Sequence, residues 1–185
     1  MRRVVVGGST GSGKSTFARA LAARMNVPVI ELDAIRHGPN WTESSDERFR
    51  DLVGAETSAD AWVVDGNYSI AIDLTWGRAD TLVWLDFSLP VIFWRLFRRT
   101  NRRIFKREVL WNGNRERFAN AYLSRESLYI WVLRTFWRRK RNWPRWLADG
   151  YRHLAVHRFR TPGEAARWLR SVQPAATGNP PDLPL

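Results

Sequence analysis

The chain has 185 residues with a formal net charge of +12, is 44% hydrophobic and 26% charged, and contains no cysteine. A length of this order suits one globular domain with a small insertion, and the absence of cysteine excludes both a disulfide framework and thiolate metal ligation. The positive charge is local: sixteen of the thirty Lys and Arg residues lie between positions 95 and 145, against three of the eighteen acids. Such a segment needs an anion, whether nucleotide phosphates, nucleic acid or an acidic membrane.

The first predicted element is a short β-branched strand, Arg2 to Val6, which runs into a glycine-rich turn. Only three valines follow the opening Met1-Arg2-Arg3, and the apolar stretch from Leu82 to Phe97 is interrupted by Asp86 and Pro90. Neither pattern has the length of a signal core or a bilayer span, so the expectation is a cytoplasmic protein without a membrane span. A helix is predicted from Lys14 to Met25, then a second strand from Val27 to Leu32. The next helix is expected from Ser44 to Ala59, with Ser44 and Glu47 spaced as a capping box. Strands follow at Ala61 to Val64 and Thr81 to Leu85.

A basic, aromatic helical region is expected from about Pro90 to about Trp146. Phe93, Leu96, Phe97 and Ile104 would form its apolar side, and Arg95, Arg98, Arg99, Arg102, Arg103 and Lys106 a charged stripe. A fifth strand is predicted from His153 to His157, and a closing helix from Thr161 to Val172, with Pro162 near its start. Residues 1–172 thus form one expected domain with an insertion at about 90–146. Residues 173–185, with four prolines, form an expected disordered tail. Alternating strands and helices predict an α/β fold with a parallel sheet covered on both faces.

The chemistry concentrates first in Gly8-Ser9-Thr10-Gly11-Ser12-Gly13-Lys14-Ser15-Thr16, which meets the pattern G-x-x-x-x-G-K-[ST] between a strand and a helix. Glycines at these places let backbone N–H groups approach phosphates, and the helix start adds its positive dipole end. Lys14 is expected to neutralise β/γ-phosphate charge, Ser15 to ligate Mg²⁺, and Thr16 to reach the α-phosphate; the expected cofactors are ATP and Mg²⁺. A metal-side acid is also needed at a neighbouring strand end. Asp65, before Gly66-Asn67-Tyr68, is favoured over Asp86, which reads as a strand-end residue capping the next helix.

Taken in order, the phosphate loop, Leu32-Asp33-Ala34-Ile35-Arg36, Pro39-Asn40-Trp41, Trp62-Val63-Val64-Asp65-Gly66-Asn67-Tyr68 and Leu82-Val83-Trp84-Leu85-Asp86 carry a resemblance. The chain resembles the nucleoside-monophosphate kinase group, and within it the small adenylate-kinase-related proteins described as "topology modulation protein". The resemblance implies a P-loop NTPase three-layer sandwich whose five-stranded sheet runs 2-3-1-4-5, with an acceptor segment after strand 2 and a lid after strand 4. It implies a kinase, with Arg36 of Asp33-x-x-Arg36 on an acceptor phosphate. It also implies Arg95 near the donor adenine and Arg99 on the phosphates.

The chain departs from that pattern after strand 3, where Asp65-Gly66-Asn67-Tyr68-Ser69 lacks the second acceptor arginine. Arg78 stands as a substitute, with Asp80 as its competing partner, and Asn67 joins the substrate-binding candidates. In the related shikimate- and gluconate-type kinases a carboxylate after strand 2 orients an acceptor hydroxyl, a role open to Asp33. The catalytic candidates are therefore Lys14, Asp33, Arg95 and Arg99, with Arg138 or Arg139 as further arginines from the returning arm. The expected partners are ATP and a small-molecule acceptor, a nucleoside monophosphate or a hydroxyl compound. The alternative is a nucleic-acid-associated NTPase using the arm in which Trp131, Trp137, Trp143 and Trp146 interleave with arginines. The bland reading of that arm packs the tryptophans and turns the arginines to water.

Overall fold

The computed structural model describes residues 1–105 and 128–174. Five strands, β1 (Arg3–Gly8), β2 (Val29–Glu31), β3 (Trp62–Asp65), β4 (Thr81–Leu85) and β5 (Ala155–Phe159), form one sheet in the order β2-β3-β1-β4-β5. Every pairing is parallel. This is the P-loop NTPase fold, with the strand order expected. The helices are α1 (Lys14–Met25), α2 (Leu32–Arg36), α3 (Asp46–Glu56), α4 (Ile72–Thr75), α5 (Leu89–Phe105), α6 (Leu128–Asp149) and α7 (Pro162–Ser171).

Side chains alternate across a strand, so β1 feeds two cores. Val4 and Val6 pack with Phe17, Ala18 and Leu21 of α1, Ile92 and Leu96 of α5, Val132 and Phe136 of α6, and Ala165 of α7. Val5 faces the other way, toward Phe49 and Val53 of α3, Trp76 and Trp143. The near-continuous apolar reading of β1, β3 and β4 is what burial on both faces demands.

Two boundaries differ from expectation for local reasons. The capping box at Ser44 does not form, because Ser44 is tied back to the preceding loop: its N–H donates to the Arg36 carbonyl at 2.9 Å. Ser45 caps α3 instead, its Oγ accepting from the Arg48 N–H at 3.2 Å. The fifth strand starts two residues late, since Leu154 N–H closes a turn onto the Tyr151 carbonyl and only Ala155 reaches the Asp80 carbonyl. A capping box does occur at α7, where Thr161 Oγ1 accepts from Glu164 N–H and the Glu164 carboxylate accepts from Thr161 N–H.

The basic helical region differs most. Its ends are walls of the main body, because Ile92, Leu96 and Thr100 of α5 and Val132, Thr135, Phe136 and Trp143 of α6 are buried. Phe97, expected on the apolar side, turns outward at 47% exposure, since the buried row of α5 runs through Ile92 and Leu96. The bland reading of the tryptophans holds for Trp143 but not for Trp131 and Trp137, which are exposed. Residues 106–127, with Lys106 of the stripe, and residues 175–185 of the predicted tail lie outside the described residues. Among the described residues, no helix is long and apolar enough to cross a membrane.

Trp143 fastens α6 to the sheet. Its ring meets Trp76 edge-on at 5.0 Å and Trp84 at 5.1 Å. It fills the space that a side chain on Gly7 would need, lying 2.5 Å from where that Cβ would be. Trp143→Ala is therefore expected to destabilise the protein by about 3–5 kcal/mol, the usual range for a large buried aromatic, measured by urea denaturation.

Candidate phosphoryl-transfer site

The loop between β1 and α1 has the backbone of a phosphate cradle. Gly8, Gly11 and Gly13 have φ of 156°, 85° and 90°. A Cβ on Gly11 would lie 2.9 Å from the Ile92 carbonyl oxygen, and one on Gly13 3.0 Å from the Arg95 guanidinium. These positions need glycine because the loop is turned inward and closely covered. Gly13 immediately precedes α1, so the N-terminus of a twelve-residue helix points into the loop. Asn67 Oδ1 accepts from the Gly8 N–H at 3.2 Å and fixes the loop entry to the end of β3.

Lys14 is half-buried in this cradle, with Nζ donating to the Ser9 carbonyl at 3.4 Å. Burial lowers its pKa; the negative charges of Asp65 and Asp33 oppose that shift, while Arg139 and Arg99 add to it. Asp65 is 5% exposed at the carboxyl end of β3. Desolvation raises its pKa against the pull of Lys14 and of a hydrogen bond from Ser15.

Asp65 Oδ1 is buried and has no hydrogen-bond partner. An orphaned buried carboxylate oxygen beside a serine hydroxyl fits a divalent cation carried with nucleotide phosphates. Ser15 and Asp65 are the residues that would hold it. Among the described residues no group of three or more His, Asp or Glu side chains forms a self-sufficient metal site, so phosphate and water oxygens would complete the shell.

Asp33, at the start of α2, faces the same centre. Its Oδ1 accepts from the Tyr68 hydroxyl at 2.7 Å, and burial and the charge of Asp33 push the phenol's pKa up, keeping it a donor. Asp86, at the end of β4, is engaged elsewhere and is not simply a helix cap. Its Oδ2 accepts from Arg158 at 2.6 Å, and Lys140 lies 3.7 Å from Oδ1.

Two arginines brace the loop from the long helices. Arg95 of α5 donates to the Ser12 carbonyl at 2.8 Å. Arg139 of α6 donates to Ser9 Oγ at 2.6 Å and lies over the Trp143 ring. Burial, and then the charge of Arg138, pull the Arg139 pKa down to about 10. Arg99 lies close enough to Lys14 to act on its charge. Arg139 was an undifferentiated neighbour of Arg138 in the sequence, yet it falls seven residues after buried Val132 and four before buried Trp143. That spacing marks it as the inward arginine.

The loop is a shared wall between two concavities. A cleft of about 1030 Å³ is lined by Gly11 to Thr16, by Arg95, Arg98, Arg99, Arg102 and Arg103 of α5, and by Pro162 at the start of α7. A smaller pocket of about 270 Å³ lies against Thr10 on the other side, lined by Asn67, Tyr68, Trp131, Arg138, Arg139 and Trp146 among others.

Two candidate residues are not brought to the centre as expected. Arg36 is clamped by Asp46 at 2.8 Å and Glu43 at 2.9 Å, and neither concavity includes it. Arg78 is a correction: it donates to the Ser58 carbonyl and precedes β4, at the amino edge of the sheet opposite the phosphate loop. Its competitor Asp80 instead accepts from the Arg2 and Arg3 N–H groups at 2.7 and 2.9 Å.

A family model described as "ATPase family associated with various cellular activities (AAA)" matches residues 4–70, the stretch from β1 through the loop after β3. No curated protein matches the chain. Among solved structures, a shikimate kinase from Acinetobacter baumannii in complex with shikimate aligns with a TM-score of 0.61 at 15% identity, covering 93% of this chain and 90% of the other. A shikimate kinase from Bacteroides thetaiotaomicron gives 0.52 at 15% identity, covering 91% and 94%. A gluconokinase from Sinorhizobium meliloti 1021 gives 0.51 at 20% identity, covering 91% of each chain. At these identities the likeness is one of fold.

The raised pKa of Asp65 has a measurable sign. Between the unfolded and folded values the native state binds more protons than the unfolded state. The contribution of Asp65 is therefore full below its ordinary value of 3.8 and is lost as pH rises through the raised one. The stability of wild type relative to Asp65→Asn should fall as pH is raised from about 4 to about 7, read from paired urea denaturations without nucleotide.

Proposed function

We propose that the protein is an ATP-dependent kinase that transfers the γ-phosphoryl group to a hydroxyl of a small molecule. The observation that carries this reading is the convergence of Lys14, Ser15 and buried Asp65 with Asp33 on a phosphate loop shared by two separate concavities. The cleft walled by α5 arginines takes the donor, and the pocket against Thr10, Asn67 and Tyr68 takes the acceptor.

In this reading Lys14 and the N–H groups of Gly11 to Lys14 hold the β- and γ-phosphates, with Arg95 and Arg99 facing the same charge. Mg²⁺ held at Ser15 and Asp65 would supply further charge neutralisation. Asp33, oriented by Tyr68, accepts the hydroxyl proton. The acceptor oxygen forms its bond to the γ-phosphorus as the bond to the β–γ bridging oxygen breaks, and ADP leaves. The two acids have separate tasks set by their surroundings: Asp65 is shut away from solvent beside Ser15, and Asp33 is held by a phenol that lines the acceptor pocket.

A nucleoside monophosphate is the second reading, in keeping with the adenylate-kinase-like resemblance. The observation favouring it is the pocket's pairing of aromatic walls, Trp131 and Trp146, with Arg138 and Arg139. The ion pairs that occupy Arg36 weigh against it, because a phosphate at Arg36 would have to displace both Asp46 and Glu43.

The two acceptor classes separate on Asp33. With radiolabelled ATP, Mg²⁺ and a panel of hydroxyl compounds and nucleoside monophosphates, Lys14→Ala should abolish transfer. For a hydroxyl acceptor, Asp33→Asn should lower kcat by about 10²–10⁴ with little change in the KM for ATP. Unchanged kcat in Asp33→Asn would remove the proton-accepting role and leave the monophosphate reading.

A further inference from the structure

Helix α6 carries on its outer face a row of arginines that extends beyond the smaller pocket. Arg134, Arg138, Arg141 and Arg145 are all exposed and fall at intervals of four, three and four residues, one above another along a single face. By the helical rise the row is about 16 Å long. Among the described residues none of the four has a carboxylate partner, and the buried side of the helix is already committed to the sheet through Val132, Phe136 and Trp143. Like charges at this spacing repel by a few tenths of a kcal/mol per pair, so the row is a net cost to an isolated helix.

Two large aromatic side chains stand among these charges. Trp131 is 54% exposed and Trp137 is 65% exposed, the latter edge-on to Phe136 at 5.1 Å. Each has guanidinium groups beside it on the same face, and Leu133 is the one large aliphatic side chain exposed on the described helix. A membrane-seated helix shows a continuous apolar face that sinks below its charges. Here charge and aromatic surface alternate on one face, and the apolar face points inward. Alternating guanidinium and indole is the chemistry that tracks a phosphate backbone while stacking on its bases.

We propose that this face of α6 binds single-stranded nucleic acid, with Arg134, Arg138, Arg141 and Arg145 on successive phosphates and Trp131 and Trp137 stacking on bases. The surface is distinct from the donor cleft, and it shares Trp131 and Arg138 with the smaller pocket. A strand lying on the row reaches the rim of the smaller pocket at Trp131 and Arg138, so it lies on the outer side of the helix that braces Ser9 through Arg139.

The test is fluorescence anisotropy of a labelled oligothymidylate with the full chain across a salt series. Four phosphate contacts on a single strand give a slope of log K against log salt of about −3. The triple substitution Arg134→Ala/Arg141→Ala/Arg145→Ala should bring that slope to about −1, while the matching triple lysine variant keeps it. Trp137→Ala should weaken binding by roughly 5- to 100-fold, the range for losing one base–aromatic stack. None of these residues lines either concavity, so binding of a fluorescent ATP analogue should be unchanged in every variant and reports that they fold. No oligonucleotide binding at low salt overturns the proposal. So does an unchanged slope in the triple alanine variant, or binding to phosphatidylserine vesicles in its place.

Discussion

A lysine ammonium drawn into a narrow glycine loop, facing two carboxylates, organises this structure. Lys14 sits under a backbone that only glycines can follow at Gly11 and Gly13, and its charge is met from below by Asp65 and Asp33. Those acids come from the carboxyl ends of β3 and β2, so the arrangement requires β1 to have β3 beside it and β2 beyond. A parallel sheet with both faces covered supplies that order and buries Asp65 at its edge. Burial raises the cost of each charge, and the same burial makes each charge effective against a phosphate.

The positive side of the site is assembled by different means. Arg95 and Arg139 reach the loop from α5 and α6, helices held to the sheet by apolar rows running through Ile92 and Leu96, and through Val132, Phe136 and Trp143. Their guanidinium groups donate to a loop carbonyl and a loop hydroxyl, not to carboxylates. A loop gripped in this way by cations has its inward N–H groups held in place, and the surplus positive charge suits the cradle to an anion. The Arg139 pKa is lowered chiefly by burial, with the charge of Arg138 adding to it.

The phosphate loop was legible because it is local, an apolar run into glycines and then Lys14 opening a helix, whereas the strand order, a non-local property, came only with the family resemblance. Asp65 was legible for a related reason, since a strand ending in Asp-Gly leaves its carboxylate at the edge where ligands bind. Arg36 and Arg78 were not, because a spacing motif says nothing of competitors. Arg36 met two acids seven and ten residues away, and Arg78 lies at the wrong edge of the sheet. Tyr68 carried no signal of its own, since its hydroxyl matters only through Asp33, 35 residues distant. The cap at Ser45 was missed in favour of Ser44 because both are serines, and the choice turned on a backbone hydrogen bond from Ser44 to a preceding loop.

The same distinction explains why the basic region reads differently in sequence and in space. By composition it is one charged block, but among the described residues helical periodicity sends its cations to different places, Arg98, Arg99, Arg102 and Arg103 lining the larger cleft. Arg95 and Arg139 are spent on the loop, and Lys140 joins Arg158 on Asp86, where the ion pairs join α6 and β5 to the end of β4. Arg134, Arg138, Arg141 and Arg145 remain outward on a helix that cannot turn them in, because Trp143 is wedged where a Gly7 side chain would stand. The wedge that fixes Arg139 on Ser9 therefore also fixes the outer row in register. The outer row and the arginine that braces the phosphate loop thus belong to one helix.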